Sequence, residues 1–262
     1  VNDSFEILNY VYPEDSARLR DQAKVTVSIM EYFIEKFGPY PFDQEKYGHA
    51  QFNINGGMEH QTMSFMGNLS DMLVAHELAH QWFGDKITCH SWSDIWLNEG
   101  FATYSEGLAR EKFYSPYNFY LWRKSHISAI TLQDNGSLYI YGQDTNSVNR
   151  IFSYRLSYRK GAMTLHMLRY LLGDEDFFSA VRAYLNDPAL AYGYASTADL
   201  KQHFELASGK DLDWFFDDWV YGEGHPSYKI KWSQVGRVGK VEMKQATSHQ
   251  SVDFFDMPIE IK

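Results

Sequence analysis

The chain has 262 residues, 44% hydrophobic, 17% aromatic and 22% charged, a globular balance that excludes intrinsic disorder as its main state. Lys and Arg number 24 against 34 Asp and Glu, so the formal charge is −10, which argues against a nucleic-acid partner. Its one cysteine, Cys89, excludes an internal disulfide framework, and no run approaches the ~20 apolar residues of a membrane span.

The chain opens VNDSFEILNY, without Met and without a secretory leader, and reads as a trimmed piece of a longer protein. Residues 5–12 alternate and then meet Pro13, which predicts a strand. From Asp15 to Phe37 the apolar positions Leu19, Ala23, Val27, Met30, Phe33, Ile34 and Phe37 recur at helical spacing, and Gly38-Pro39 stops that helix. Residues 47–66 predict a strand, a Gly-Gly turn at 56–57 and a second strand. Ser70 caps a helix expected to run to Gly84, a further helix covers about 94–113, and Ser115-Pro116 opens one ending near Asp134. The polar stretch 134–150 reads as a surface loop. Helices are expected again at 158–172, 174–185, 197–207 and 211–221. After Gly224-His225-Pro226 the pattern changes to three strands, 228–235, 239–246 and 252–261. Three strands alone make a marginal unit, so they read as a β-domain cut short.

The sharpest chemical signal is His76-Glu77-Leu78-Ala79-His80. On a helix, positions i and i+4 share one face, so both imidazoles can reach a single Zn²⁺. Glu77 is turned about 100° around the same helix and can reach a water at the metal rather than the metal itself. Two unpaired histidines in the apolar run VAHELAHQWFG would otherwise need buried partners. A catalytic zinc site takes three protein ligands and keeps an open position. Glu99, in WLNEGFATY, is the next candidate, with eighteen residues between it and His80. Trp96, Leu97 and Phe101 around it predict a buried helix, where a lone carboxylate is costly and coordination supplies a reason for it.

These residues resemble the gluzincin aminopeptidases, the family of aminopeptidase N. The resemblance is carried by HELAHQWFGD at 76–85, SDIWLNEGFATYSEGL at 93–108, GGMEH at 56–60 and YRKGAMTLHMLRYLLGDEDFF at 158–178, and it spans about residues 10–226. It implies one zinc ion on His76, His80 and Glu99, with Glu77 as general base. It implies that Tyr158, in Y-x-K-G, hydrogen-bonds the tetrahedral intermediate, and that Glu59 binds the free α-amino group of a peptide substrate. Gly56, Gly57, Met58 and His60 complete that substrate-binding motif. His60 stands where the family usually has Asn, and it can replace the amide as a donor or narrow the first pocket.

The fold implied is α+β: a thermolysin-like zincin catalytic domain, with a small mixed sheet over the active-site helix and a helical lobe behind. Residues 1–13 are expected to be a strand or linker from an N-terminal β-domain, 14–224 the catalytic domain and 225–262 the start of a β-sandwich-like domain. Asp94, Thr103 and Glu106 are candidates to orient the metal-bound histidines. Tyr154, one turn before Tyr158, can face the same cleft, with core packing the favoured reading. Cys89 and the histidines at 49, 90, 126, 166, 203 and 249 read as structural or surface residues. The function implied is removal of the N-terminal residue from peptides, in a secreted, periplasmic or cytoplasmic setting. Two rival readings remain at this point. One is a zinc endopeptidase or a sibling hydrolase acting on small lipid epoxides. The other is an inactive metal-binding module, against which the presence of His76, Glu77, His80, Glu99 and Tyr158 together argues.

Overall fold

Alternation in FEILNY becomes β1 (Glu6–Tyr10) in the computed structural model, which describes residues 4–260. The expectation for residues 1–13 therefore falls partly outside the described residues, as do positions 261 and 262 of the last expected strand. β1 pairs in parallel with β2 (Lys46–Gln51), β2 in parallel with β4 (Ser64–Met66), and β3 (Gly57–Met58) antiparallel with β4, giving the order β1-β2-β4-β3. The Gly-Gly turn expected between two strands at 47–66 is thus not a hairpin. The first and last strands of that stretch run parallel, which a tight turn cannot join. The chain instead crosses over, and Gly56 accepts a hydrogen bond from the Gly67 amide at 2.9 Å. This leaves β3 at the sheet edge.

The single helix expected at 15–37 is two, α1 (Ser16–Gln22) and α2 (Val25–Phe37). The Lys24 amide bonds back only three residues, to Asp21, and this tightened turn separates them. α2 buries Ile29, Met30, Phe33 and Phe37. The next helix, α3 (Asp71–Ala79), begins after Ser70 as expected but stops before Gly84. Residues 80–85 fold back in successive turns, with the Gly84 amide bonded to the Ile87 carbonyl, and lead into β5 (Ile87–Cys89). α4 (Trp96–Phe113) and α5 (Pro116–Ile130) follow, the latter capped by the Ser115 side chain.

The stretch expected as loop contains a 3₁₀ turn at Gly142–Asn146 and the short α6 (Val148–Ile151). A π-helical turn, Tyr154–Lys160, then runs into α7 (Gly161–Leu172). α8 (Asp174–Asn186) leads to β6 (Gly193–Ala195), which pairs in parallel with β5. α9 (Thr197–Ser208) starts with a capping box of Ser196 and Asp199, and α10 (Asp213–Phe216) continues into a second π-turn, Asp217–Tyr221.

β7 (Pro226–Val235) and β8 (Val238–Thr247) form an antiparallel hairpin, as the alternation predicts. Residues 252–260 form no strand. Gln245 replaces the ladder there, its side chain bonding both the amide and the carbonyl of Phe255 at 2.7 and 2.9 Å. Pro258 removes a further donor, and Phe255 packs on Trp219.

An aromatic cluster packs around the end of α3. Phe33, Phe37 and Tyr40 surround Trp82, and Phe83 stacks on Phe101 at 4.1 Å with rings nearly parallel. Trp82, Phe83 and Phe101 are fully buried, each contributing roughly 1.5–3 kcal/mol. These rings clamp the end of α3 to α2 and α4. Among the described residues no helix is long and apolar enough to cross a membrane.

Candidate metal centre and cleft

α3 and its C-cap place His76 and His80 one turn apart, with their Nε2 atoms 3.2 Å from each other. The first turn of α4 brings Glu99 Oε2 to 3.4 Å from both. That oxygen is buried and has no hydrogen-bond partner. The three atoms make a nearly equilateral triangle. A tetrahedral zinc with ligand bonds of ~2.0–2.1 Å separates its ligand atoms by about 3.3–3.4 Å, so the triangle fits one face of such a site. The donor set of two imidazoles and a carboxylate is also one that zinc takes.

The far side of each imidazole is fixed. His76 Nδ1 donates to Glu106 Oε1 at 2.9 Å, and His80 Nδ1 donates to the Phe83 carbonyl at 3.0 Å. Both Nε2 atoms then face the triangle. Of the three candidates for this orienting role, Glu106 alone reaches one of the two histidines. Asp94 instead accepts from the amide and hydroxyl of Thr197, and the Thr103 hydroxyl is buried without a partner.

Electrostatics agree with a cation site. Burial opposes charge on His80, but Glu59 and Glu99 outweigh it and raise its pKa to about 9. Burial likewise opposes charge on His76, yet Glu106 and Glu99 hold its pKa well above the usual histidine range. Burial pushes Glu99 up, and the two imidazoles more than reverse it, holding its carboxyl well below the carboxylate range. The pocket therefore draws positive charge inward, which a divalent cation supplies.

Glu77 is buried on the same helix. Burial raises its pKa to about 7, with the two imidazoles opposing and Glu59 and Glu99 adding to the rise. A Cβ built on Gly57 would fall onto the Glu77 carboxylate, so only glycine lets this edge strand approach it. Ligand-type atoms of Glu59, Glu77 and His80 lie within 4.8 Å of one another. The segment between β3 and β4 is tied to the end of α3 by Gln81, which accepts from the Thr62 amide at 2.8 Å and from the Tyr40 hydroxyl at 3.3 Å. Tyr158 stacks on the His76 ring at 6.0 Å and 10°. Burial, then the Glu99 charge, pushes its pKa up, so the phenol stays a donor.

A cleft of about 980 Å³ opens over these groups, and Gly56, Gly57, Met58, Glu59, Glu77 and Tyr158 all line it with the three triangle residues. His60 is not among its lining residues; it is exposed and sits edge-on to Phe65 at 5.1 Å. Tyr154 lines the cleft and is half exposed, so it is not a core residue. Cys89 reaches the wall too, but burial pushes its thiol up to about 12, which keeps it unreactive. Trp92 and Phe152, paired edge-to-face at 5.9 Å, are wall residues the sequence did not single out. Their spacing of sixty residues carries no local signal.

Residues 22–219 match the peptidase family M1 domain. The chain is 30% identical to aminopeptidase M1-A of Oryza sativa subsp. japonica over 93% of its length, and 34% identical to the mitochondrial aminopeptidase 2 of Saccharomyces cerevisiae over 90%. It spans 29% and 26% of those two proteins. Among solved structures it is similar to an M1 zinc metallopeptidase from Deinococcus radiodurans, with TM-score 0.64 and 28% identity, covering 75% of this chain and 43% of that one. Aminopeptidase A of Legionella pneumophila shares the fold at TM-score 0.78 and 19% identity, covering 92% of this chain and 29% of that one. The mixed helix-and-sheet body is thus similar to that of the M1 metallopeptidases, the cofactor is zinc, and the chain belongs to peptidase family M1.

Proposed function

We propose that this chain is the catalytic part of a zinc aminopeptidase that releases the N-terminal residue of peptides. The observation that carries the reading is the placing of Glu59, a carboxylate outside the ligand triangle yet close to Glu77 and His80. On this reading His76, His80 and Glu99 hold the zinc. When bound, zinc supplies Lewis acidity toward the scissile carbonyl and toward water.

The rest is done by the chain. Glu59 accepts the substrate's ammonium group in a charge-assisted bond, which fixes the first peptide bond at the centre. The free edge of β3 offers backbone groups to an extended peptide. Glu77, its pKa near 7, takes a proton from the attacking water and delivers it to the leaving amine. Tyr158 donates its hydroxyl proton in a hydrogen bond to the carbonyl oxygen as that oxygen gains charge, an interaction of about 3 kcal/mol in comparable sites. His60 lies outside the cleft and has no part in this assignment. An endopeptidase or a lipid-epoxide hydrolase would leave Glu59 without a cation to bind. Residues 14–224 are read as a thermolysin-like catalytic body, and 225–262 as the opening of a β-rich unit.

The test is Glu77→Gln. The variant is expected to retain one zinc per chain by elemental analysis while hydrolysis of an aminoacyl chromogenic substrate drops at least about 10²-fold. Turnover at the parent rate would remove Glu77 from the mechanism.

A further inference from the structure

Behind the π-turn that carries Tyr158 lies a second cavity, of about 520 Å³, with Arg150 and Arg155 in its wall. Arg150 donates from Nη2 to the Ser137 carbonyl at 2.7 Å, but its Nη1 is buried with no hydrogen-bond partner. Arg155 bonds only neutral oxygens: the carbonyls of Ile130 at 3.3 Å and Asn135 at 3.0 Å, and Asn135 Oδ1 at 3.3 Å. Among the described residues the ion-paired arginines are Arg18 and Arg169, and neither of these two joins them.

The turn that carries Arg155 also carries Lys160. Lys160 is buried, and its Nζ donates to the carbonyls of Gly136 at 2.9 Å and Gly222 at 3.3 Å. Burial, then the charge of Arg155, lowers its pKa to about 7, and burial lowers both arginines as well. The acids in the cavity wall are Glu223 and the exposed Asp144. Glu223 is engaged by the Gly136 amide at 2.7 Å. Two guanidiniums partly withdrawn from water, one of them with an unmade bond, form a site whose missing component is negative and offers several acceptor oxygens.

We propose that this cavity binds a small oxyanion, a phosphate or a carboxylate, between the guanidiniums of Arg150 and Arg155. Planar forks of N–H donors match both ligands, which accept two parallel bonds. Arg155 and Leu156 line the cavity and belong to the same π-turn as Tyr158, so an occupied site braces the turn from behind.

Thermal unfolding of the zinc-loaded chain tests this, with inorganic phosphate titrated at constant ionic strength against chloride and acetate in a parallel arm. The expected result is a saturable rise in Tm of a few degrees at a hundredfold excess over Kd. A response to phosphate alone assigns the site to phosphate; a response to acetate assigns it to carboxylates. The rise is expected to vanish in Arg150→Gln and to persist in Arg237→Gln, a change in the exposed β7–β8 turn. Arg155→Gln removes the other guanidinium and serves should the first variant not fold. No saturable rise with either anion, or a rise unchanged in both Arg150→Gln and Arg155→Gln, overturns the proposal.

Discussion

Gly100 on α4 lies so close to Gly161 at the start of α7 that a Cβ built on Gly161 would stand 2.9 Å from the Gly100 Cα. The reverse construction gives 3.1 Å. This backbone contact brings together the helix that carries Glu99 and the turn that carries Tyr158. Each glycine is adjacent, or nearly so, to a residue of the cleft.

Gly161→Ala is therefore expected to damage the site. Replacing glycine inside a helix normally stabilises by about 0.5–1 kcal/mol. Here overpacking of backbone against backbone costs about 1–3 kcal/mol and wins. The denaturation midpoint falls, and kcat falls further than stability alone explains, because Glu99 and Tyr158 move apart. An alanine variant that is more stable and fully active would show that the contact does not position the site.

Glu106→Ala is expected to weaken zinc binding by 10–100-fold, since His76 loses the acceptor that orients its ring. Competition with a chelator of known affinity measures this directly. His80 is held by a backbone carbonyl, so Glu106 is the accessible lever on ring orientation. Unchanged affinity in Glu106→Ala would mean that packing alone fixes His76.

Lys160 makes stability depend on pH. Its folded pKa of about 7 lies below the unfolded value of about 10.4. Below pH 7 both states are charged, and the folded state carries the full cost of the buried ammonium. Between pH 7 and 10 the unfolded chain binds more protons, so stability rises with pH, at no more than about 1.4 kcal/mol per unit. Urea unfolding at pH 7 and pH 9 is expected to show this rise in the parent. In Lys160→Met the Lys160 contribution is gone and the difference between the two pH values shrinks. An equal difference in both proteins would place the titration elsewhere.

Most of the helices, and the grouping of His76, His80 and Glu99, were legible in the sequence because their signals are local. His76 and His80 sit one turn apart, and Glu99 sits among the apolar residues that bury it. The parallel pairing of β2 with β4 was not legible, since alternation marks a strand without naming its neighbour. Nor was the break at Ala23-Lys24, where apolar spacing continues across the two helices. Glu106 was visible as a residue on the face of Glu99, but only the packing of α4 on α3 sets it apart from Asp94 and Thr103. His60 shows the opposite limit. Its place beside Glu59 in the chain suggested the cleft, whereas the backbone turns it outward onto Phe65.

The central claim is that a carboxylate beside a zinc site counts peptide bonds from a free amine. The direct measurement compares a short peptide with its N-acetylated form, digested by the zinc-loaded parent and by Glu59→Ala and followed by mass spectrometry. The expected result is stepwise loss of single N-terminal residues from the free peptide, acetylated peptide cleaved at least about 10²-fold more slowly, and a discrimination that collapses in Glu59→Ala. Equal cleavage of both forms by the parent, or products cut from the middle of the chain, would contradict it.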